Sequence, residues 1–190
     1  MKKLIVASDN KGKLKEIREI LKGKYEIIPM SEAGFNGEIE ENGDSFYENA
    51  LIKAKTVSLA LHADALADDS GLCVEALGGA PGVFSARYSG KHGDDVANRE
   101  KLLKELCGKD NRKAKFVCDM VLYKTDGSII EGKGETNGKI SFKEEGTNGF
   151  GYDPLFISDD LGKSFGVASS DEKNSVSHRK RALIDLLGRL

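Results

Sequence analysis

Two adjacent carboxylates, Asp68 and Asp69, stand between the apolar run Ala65-Leu66-Ala67 and the pair Ser70-Gly71. Neighbouring like charges repel, so the placement needs a reason. One reading is a solvated turn closed by an Asx hydrogen bond. The other is a pair of carboxylates set out for a cation and a water. A second stretch bears on the choice. Ser8-Asp9-Asn10-Lys11-Gly12-Lys13 offers side-chain hydrogen-bonders, two cations and a glycine that relieves backbone crowding. It lies where a strand hands over to a helix, and the exposed N–H groups and positive dipole end there favour an anion. The spacing is not that of a Walker loop. The plainer reading is an N-cap followed by solvated lysines. If the stretch holds phosphates, nearby aspartates would repel them unless a hard cation intervenes. Mg²⁺ takes few carboxylates, keeps several waters and bridges to phosphate oxygens. A carboxylate beside it can orient or deprotonate a water.

Three further stretches carry chemistry or its plainer counterpart. Glu40 and Glu41 form a second acidic pair before a helix, and Lys53 sits between Ile52 and Ala54 on that helix. A lysine so placed either snorkels or points into a pocket. Phe150-Gly151-Tyr152-Asp153-Pro154 sets two aromatics beside a carboxylate, fit either to stack on a base or to join a core. His178 and Arg179 can both donate to a carbonyl oxygen, or simply make a polar helix start.

The elements that must position these groups follow from periodicity. Residues 3–7 read as a buried strand, and Gly12 to Leu21 as a helix with Leu14, Ile17, Ile20 and Leu21 on one face. Tyr25 to Ile28 reads as a second strand. Ser45 and Glu48 have capping-box spacing and open a helix to about Leu61. Ala65 to Ala67 is a short strand leading to the aspartates, and residues 78–93 read as loop. Asp94 to Leu106 is a helix. Lys115 to Tyr123 and Ser128 to Ile140 flank Thr125-Asp126-Gly127, a hairpin signal. Residues 144–153 form a glycine-rich turn, and Asn174 to Leu187 closes as one helix. Strands alternating with helices, then a hairpin, predict a mixed α/β sheet.

Composition limits the function. With 39% hydrophobic residues in 190, the chain has material for a core and for one domain. Its 29 basic and 31 acidic residues leave a net charge of -2, which gives no electrostatic reason to expect nucleic acid or an anionic membrane as partner. No stretch approaches the ~18 apolar residues of a membrane span, and the N-terminal apolar run is too short for a signal peptide. Cys73, Cys107 and Cys118 have no metal-ligand spacing and predict reduced, mostly buried thiols in a cytoplasmic protein.

Taken in order, Ser8-Asp9-Asn10-Lys11-Gly12-Lys13, the acidic loop before FYENALIKA, LADDSGL, GGAPGVFSARYSG, FGYDP and EKNSVSHR resemble the inosine/xanthosine triphosphate pyrophosphatase (HAM1) family, from about residue 4 to residue 187. The resemblance implies a single domain over residues 1–190 with an elongated two-lobed α/β fold: a long central mixed sheet flanked by helices, and a cleft between the lobes. It implies a homodimer that needs Mg²⁺ and converts ITP, dITP or XTP to the monophosphate and pyrophosphate. Carried over by residue, it places Ser8, Asn10, Lys13 and Lys53 on the triphosphate, counts Asp9, Lys11 and Gly12 of the same stretch among the substrate-binding residues, and puts Glu41 and Asp69 on the metal. The same resemblance makes Asp69 the expected proton acceptor, with Asp68 beside it and Ser70 on the substrate. Phe150, Gly151, Tyr152, Asp153, Lys173, His178 and Arg179 fall around the base and sugar. The chain departs from many relatives at Asp9, where they carry glycine, at Gly166-Val167 and at Lys180. Two rival functions are a nucleotide-sensing module without turnover and a phosphatase that releases orthophosphate.

Overall fold

The structure, a computed structural model, describes residues 2–190. The chain runs β1 (Lys2–Val6), α1 (Lys11–Ile20), β2 (Tyr25–Pro29), α2 (Phe46–Leu61), β3 (Ala65–Val74), α3 (Asp95–Glu105), β4 (Lys113–Tyr123), β5 (Ile129–Ile140), β6 (Phe156–Ser158), α4 (Ser170–Val176) and α5 (His178–Leu187). Short 3-10 turns occupy residues 75–77, 82–87 and 153–155. The strands form one sheet in the order β2-β1-β3-β4-β5-β6. It is mixed, as the alternation of elements predicts. β1 pairs in parallel with both β2 and β3, with Leu4 opposite Ile27 and Val6 opposite Leu66. Parallel neighbours need crossover connections, and α1 supplies the one between β1 and β2. β5 and β6 pair antiparallel. The β4–β5 turn forms as predicted: Lys124 N–H donates to Ser128 O, and Asp126 Oδ1 accepts from Ser128 N–H at 2.8 Å.

The chain folds into two compact units, each assembled from separate segments: residues 1–69, 118–134 and 179–190 in the first, 70–117 and 135–178 in the second. The first unit has two apolar clusters. Leu14 and Ile17 of α1 and Leu21 at its C-cap pack with Val6, Leu66, Met120 and the inner face of α5 (Ala182, Leu183, Leu186). Ala50, Ala54 and Val57 of α2 pack on Ala7, Ala65, Ala67 and Val121. The small alanines let that helix lie close to the strands. The second unit is built around Phe116, Phe156 and Phe165, with Leu102 of α3 and Leu106 at its C-cap.

Four expectations change. First, β3 does not stop at Ala67: it continues through both aspartates to Val74, with Asp68 and Asp69 almost fully buried. The two carboxylates imitate a turn, but their charges are met by partners inside the fold, so nothing forces the strand to end. Second, the closing helix is two helices. Ser169 and Glu172 form a complete capping box that starts α4, and Ser177, at φ -65° and ψ 148°, breaks the run before α5. Third, residues 82–87, read as loop, make a 3-10 turn, and β6 is a strand of three residues, too short to show a period. Fourth, of the three thiols only Cys118 is buried. Cys107 lies just past the end of α3 and is exposed, and Cys73 is half-buried.

Candidate active site

In the first unit, the strand-to-helix handover after β1 is built by its own side chains. Asn10 is the N-cap of α1 and its Oδ1 accepts from Lys13 N–H at 3.1 Å, while Ser8 Oγ accepts from Asn10 N–H at 3.1 Å. The first turn of α1 holds no acidic residue, so its positive end is not neutralised locally. Lys11 is exposed and Gly12 half-exposed. Asp9 is turned elsewhere: its Oδ1 accepts from Ser31 Oγ at 2.6 Å, tying the segment that follows β2 to this turn.

Strand geometry sends successive side chains to opposite faces, and this separates the two aspartates. Asp68 Oδ2 meets Lys13 Nζ at 3.1 Å and Arg179 Nη2 at 3.1 Å, and the Cys118 thiol lies 3.9 Å away. Arg179, 1% exposed, also donates through Nη1 to Glu16 Oε2. Burial opposes ionisation of Asp68, but Lys13, Arg179 and Lys53 outweigh it and hold the carboxyl well below the usual range. Asp69 faces another set. Its Oδ1 is 3.5 Å from Lys53 Nζ and its Oδ2 accepts from Asn49 Nδ2 at 3.3 Å. Lys53 Nζ also donates to Glu41 Oε2 at 2.9 Å. Lys53 therefore does not snorkel: it is 8% exposed and bridges two carboxylates. Burial disfavours its ammonium, yet Asp69, Glu41 and Asp68 more than compensate and its pKa stands above the ordinary lysine value. Asp69 moves the other way from Asp68. Burial pushes its carboxyl up, Lys53 and Lys13 pull against this, and Glu41 and Asp68 add to the rise. Of the acidic pair only Glu41 reaches this cluster; Glu40 is exposed.

Two residues in this arrangement were not singled out from sequence. Asn49, 1% exposed, accepts from Gly43 N–H at 2.9 Å through Oδ1 while its amide donates to Asp69, so it links the loop carrying Glu41 to the strand carrying Asp69. Its signal was available: it lies four residues before Lys53 and beside Ala50, on the helix face that turns inward. Glu16 looked like any helix glutamate, and its partner is 163 residues away.

In the second unit, Asp153 and Lys173 form a buried pair, Nζ to Oδ2 2.5 Å. The same Oδ2 accepts from Phe150 N–H at 2.9 Å. Lys173 Nζ lies 4.8 Å from the centroid of the Phe150 ring. Gly149 is needed beside them: at φ +75° a Cβ there would fall 2.0 Å from Asp153 Oδ2. Of the two aromatics of this stretch, Tyr152 belongs to the core, its hydroxyl donating to Ser85 O at 2.7 Å, while Phe150 is half-exposed. His178 is buried and stacks on Phe116, centroids 4.8 Å apart. Ser70 is half-buried.

The donor set fits a hard divalent cation. Glu41 and Asp69 are oxygen donors that already converge on one positive point, the Lys53 ammonium. Among the described residues no group of three or more His, Cys, Asp or Glu is gathered to cage a metal. A cation held here would draw its remaining ligands from water and bound phosphate, the habit of Mg²⁺.

The model of the Ham1 family matches residues 4–188, and the chain belongs to that family. It is 46% identical over 187 residues to a dITP/XTP pyrophosphatase of Clostridium tetani, covering 96% of this chain and 93% of that protein. It is likewise 46% identical to a dITP/XTP pyrophosphatase of Bacillus subtilis, covering 96% and 94%. Among solved structures it resembles the Ham1 protein of Staphylococcus aureus at 39% identity and a TM-score of 0.88, covering 99% of this chain and 97% of that one.

Proposed function

We propose that this protein is a Mg²⁺-dependent pyrophosphatase of nucleoside triphosphates that hydrolyses ITP, dITP and XTP to the monophosphate and pyrophosphate, clearing deaminated purines from the nucleotide pool. Two close relatives carry the name dITP/XTP pyrophosphatase. The observation that carries the chemistry is the Glu41–Lys53–Asp69 bridge, buried at Lys53 and Asp69, with its raised Asp69 carboxyl.

Lys13, Lys53 and the open N-terminus of α1, with Ser8 and Asn10, bind the triphosphate. Glu41 and Asp69 would hold the Mg²⁺, which supplies charge neutralisation and lowers the cost of forming hydroxide from water. Charge supports a cation: Lys13, Lys53 and Arg179 already face the carboxylates of Glu16, Glu41, Asp68 and Asp69. A triphosphate added to that set without a counter-charge would be repelled. Asp69 accepts the proton of the water that attacks the α-phosphorus, and pyrophosphate leaves with its charge on the lysines. Asp68 keeps Lys13 and Arg179 in place. By the family resemblance, recognition of the base falls to Phe150, Lys173 and His178. A donor facing the oxygen at C6 favours inosine and xanthine and leaves adenine's amino group unmatched. Arg179, expected beside the base, spends its guanidinium on Asp68 and Glu16, and we assign it to holding Asp68. The family resemblance also implies a homodimer, which sedimentation equilibrium tests.

The test is incubation with ITP, XTP, GTP and ATP, with and without Mg²⁺, assaying pyrophosphate and orthophosphate separately. The expected result is pyrophosphate from ITP and XTP, little from GTP or ATP, and none without metal. Orthophosphate as product makes the protein a phosphatase; binding without product makes it a sensing module.

A further inference from the structure

Asp95 and Arg99 lie one turn apart on α3, so their side chains share a face. They take both polar groups of a single residue. Gly151 N–H donates to Asp95 Oδ2 at 2.8 Å, and Arg99 Nη1 donates to Gly151 O at 2.9 Å. Arg99 is braced in turn by Glu144, Nε to Oε1 2.7 Å. The Arg99 side chain is only 13% exposed, so these bonds are largely shielded from water. Gly151 follows Phe150 directly and has φ +60°. The next peptide back, Phe150 N–H, is held by Asp153, which is itself fixed by Lys173. Loop backbone normally bonds to water. Here two oppositely charged side chains of one helix are committed to one residue of a turn, through charge-assisted bonds.

We propose that Asp95 and Arg99 are positioning residues for base recognition: by clamping both ends of Gly151 they fix the 150–153 turn, so that the Phe150 ring and the Lys173–Asp153 pair are set before the purine arrives. The proposal rests on the reading of this turn as the base side of the site. Its consequence is selective. Loosening the clamp weakens binding of a ligand that has a base and leaves a ligand made only of phosphate untouched, because the phosphate contacts proposed above all come from other residues.

The experiment compares wild type, Arg99→Ala, Arg99→Lys and Glu144→Gln for kcat and KM on ITP, and for the Ki of inorganic tripolyphosphate as competitive inhibitor. Arg99→Ala is expected to raise KM roughly tenfold, with kcat within about twofold and the tripolyphosphate Ki unchanged. Arg99→Lys, which keeps one cationic donor, recovers most of the loss. Glu144→Gln changes KM by less than about twofold. Should Arg99→Ala fail to fold, Asp95→Asn gives the same split in smaller measure. An unchanged KM in the active variants overturns the proposal and leaves the pyrophosphatase reading standing. So does a Ki that rises in step with KM, which marks general loosening. A wild type that releases no pyrophosphate from ITP overturns both.

Discussion

Asp68 and Asp69 are adjacent in the chain and opposite in chemistry. One is driven below the ordinary carboxylate range by cations, the other above it by burial and neighbouring carboxylates. A general base must be ionised, so kcat/KM should fall on the acid side; Mg²⁺ held by Asp69 would favour its charged form, so this acid limb should move to lower pH as Mg²⁺ is raised. Asp69→Asn should lower kcat by at least ~10²-fold and remove that acid limb; a folded Asp69→Asn protein of near-normal rate would exclude it as the base. Asn49→Ala takes away a donor to the Asp69 carboxylate, which disfavours the charged form. The acid limb should therefore move to higher pH, with kcat at neutral pH down by a few-fold, and a pH–rate profile reads this directly. For Asp68 the sign reverses. The unfolded chain binds its proton near the ordinary value while the native state refuses it, so the Asp68 contribution is full above that value and is lost as pH falls below it. Asp68→Asn leaves Lys13 and Arg179 short of a buried partner and should cost about 3–5 kcal/mol at neutral pH. That cost should shrink in acid, as urea midpoints at two pH values would show. At this scale the sequence was readable where residues of one kind cluster, as in the Asp68–Asp69 pair and the Ser8–Lys13 stretch. Glu16 and Asn49 were not readable, because their meaning comes from partners that only folding brings near.

Among the elements, those with strong periodicity were legible nearly to the residue. The capped helix α2 and the β4–β5 turn lie where the spacing of Ser45, Glu48 and Asp126-Gly127 puts them. Half of the expected capping box forms: Ser45 Oγ accepts from Glu48 N–H, but the Glu48 carboxylate accepts from Asp44 N–H instead. The sequence pattern ends β3 at Ala67, because charge in a strand reads as its end unless the counter-charges are known. The break at Ser177 has no Pro or Gly to announce it. The contact of β5 with α5 was equally invisible. Gly132 has the helix backbone against it, and a Cβ there would lie 2.2 Å from Ala182 O and 2.6 Å from Leu186 N. Gly132→Ala should therefore destabilise the protein by roughly 1–3 kcal/mol, since backbone cannot yield as a side-chain tip can. The urea midpoint measures this, and an unchanged midpoint would mean that α5 shifts freely.

For the molecule as a whole, the α/β class and a mixed sheet followed from the order of elements, whereas the division into units did not. Each unit collects segments far apart in the chain, which crosses between them at four places. No composition shift marks such boundaries, because they fall within β3, β4 and β5 and at the start of α5 rather than in linkers. The chain lacks Trp, so a single introduced Trp reports only its own surroundings. Placed at exposed positions of the two units, Leu59→Trp and Phe142→Trp should give coincident urea transitions, because neither unit is a continuous stretch able to melt alone. Midpoints that differ between the two probes would show the units to be independent.

The same interleaving sets a timetable for the newly made chain. Asp68 is translated 111 residues ahead of Arg179, one of the two cations that neutralise it. At typical rates of ~5–20 residues per second, its carboxylate waits several seconds on the ribosome before Arg179 exists. Over that interval Asp68 has Lys13 for a partner but not Arg179, and a chain stopped short of α5 would carry every motif of the first seventy residues with only part of the counter-charge that keeps Asp68 buried.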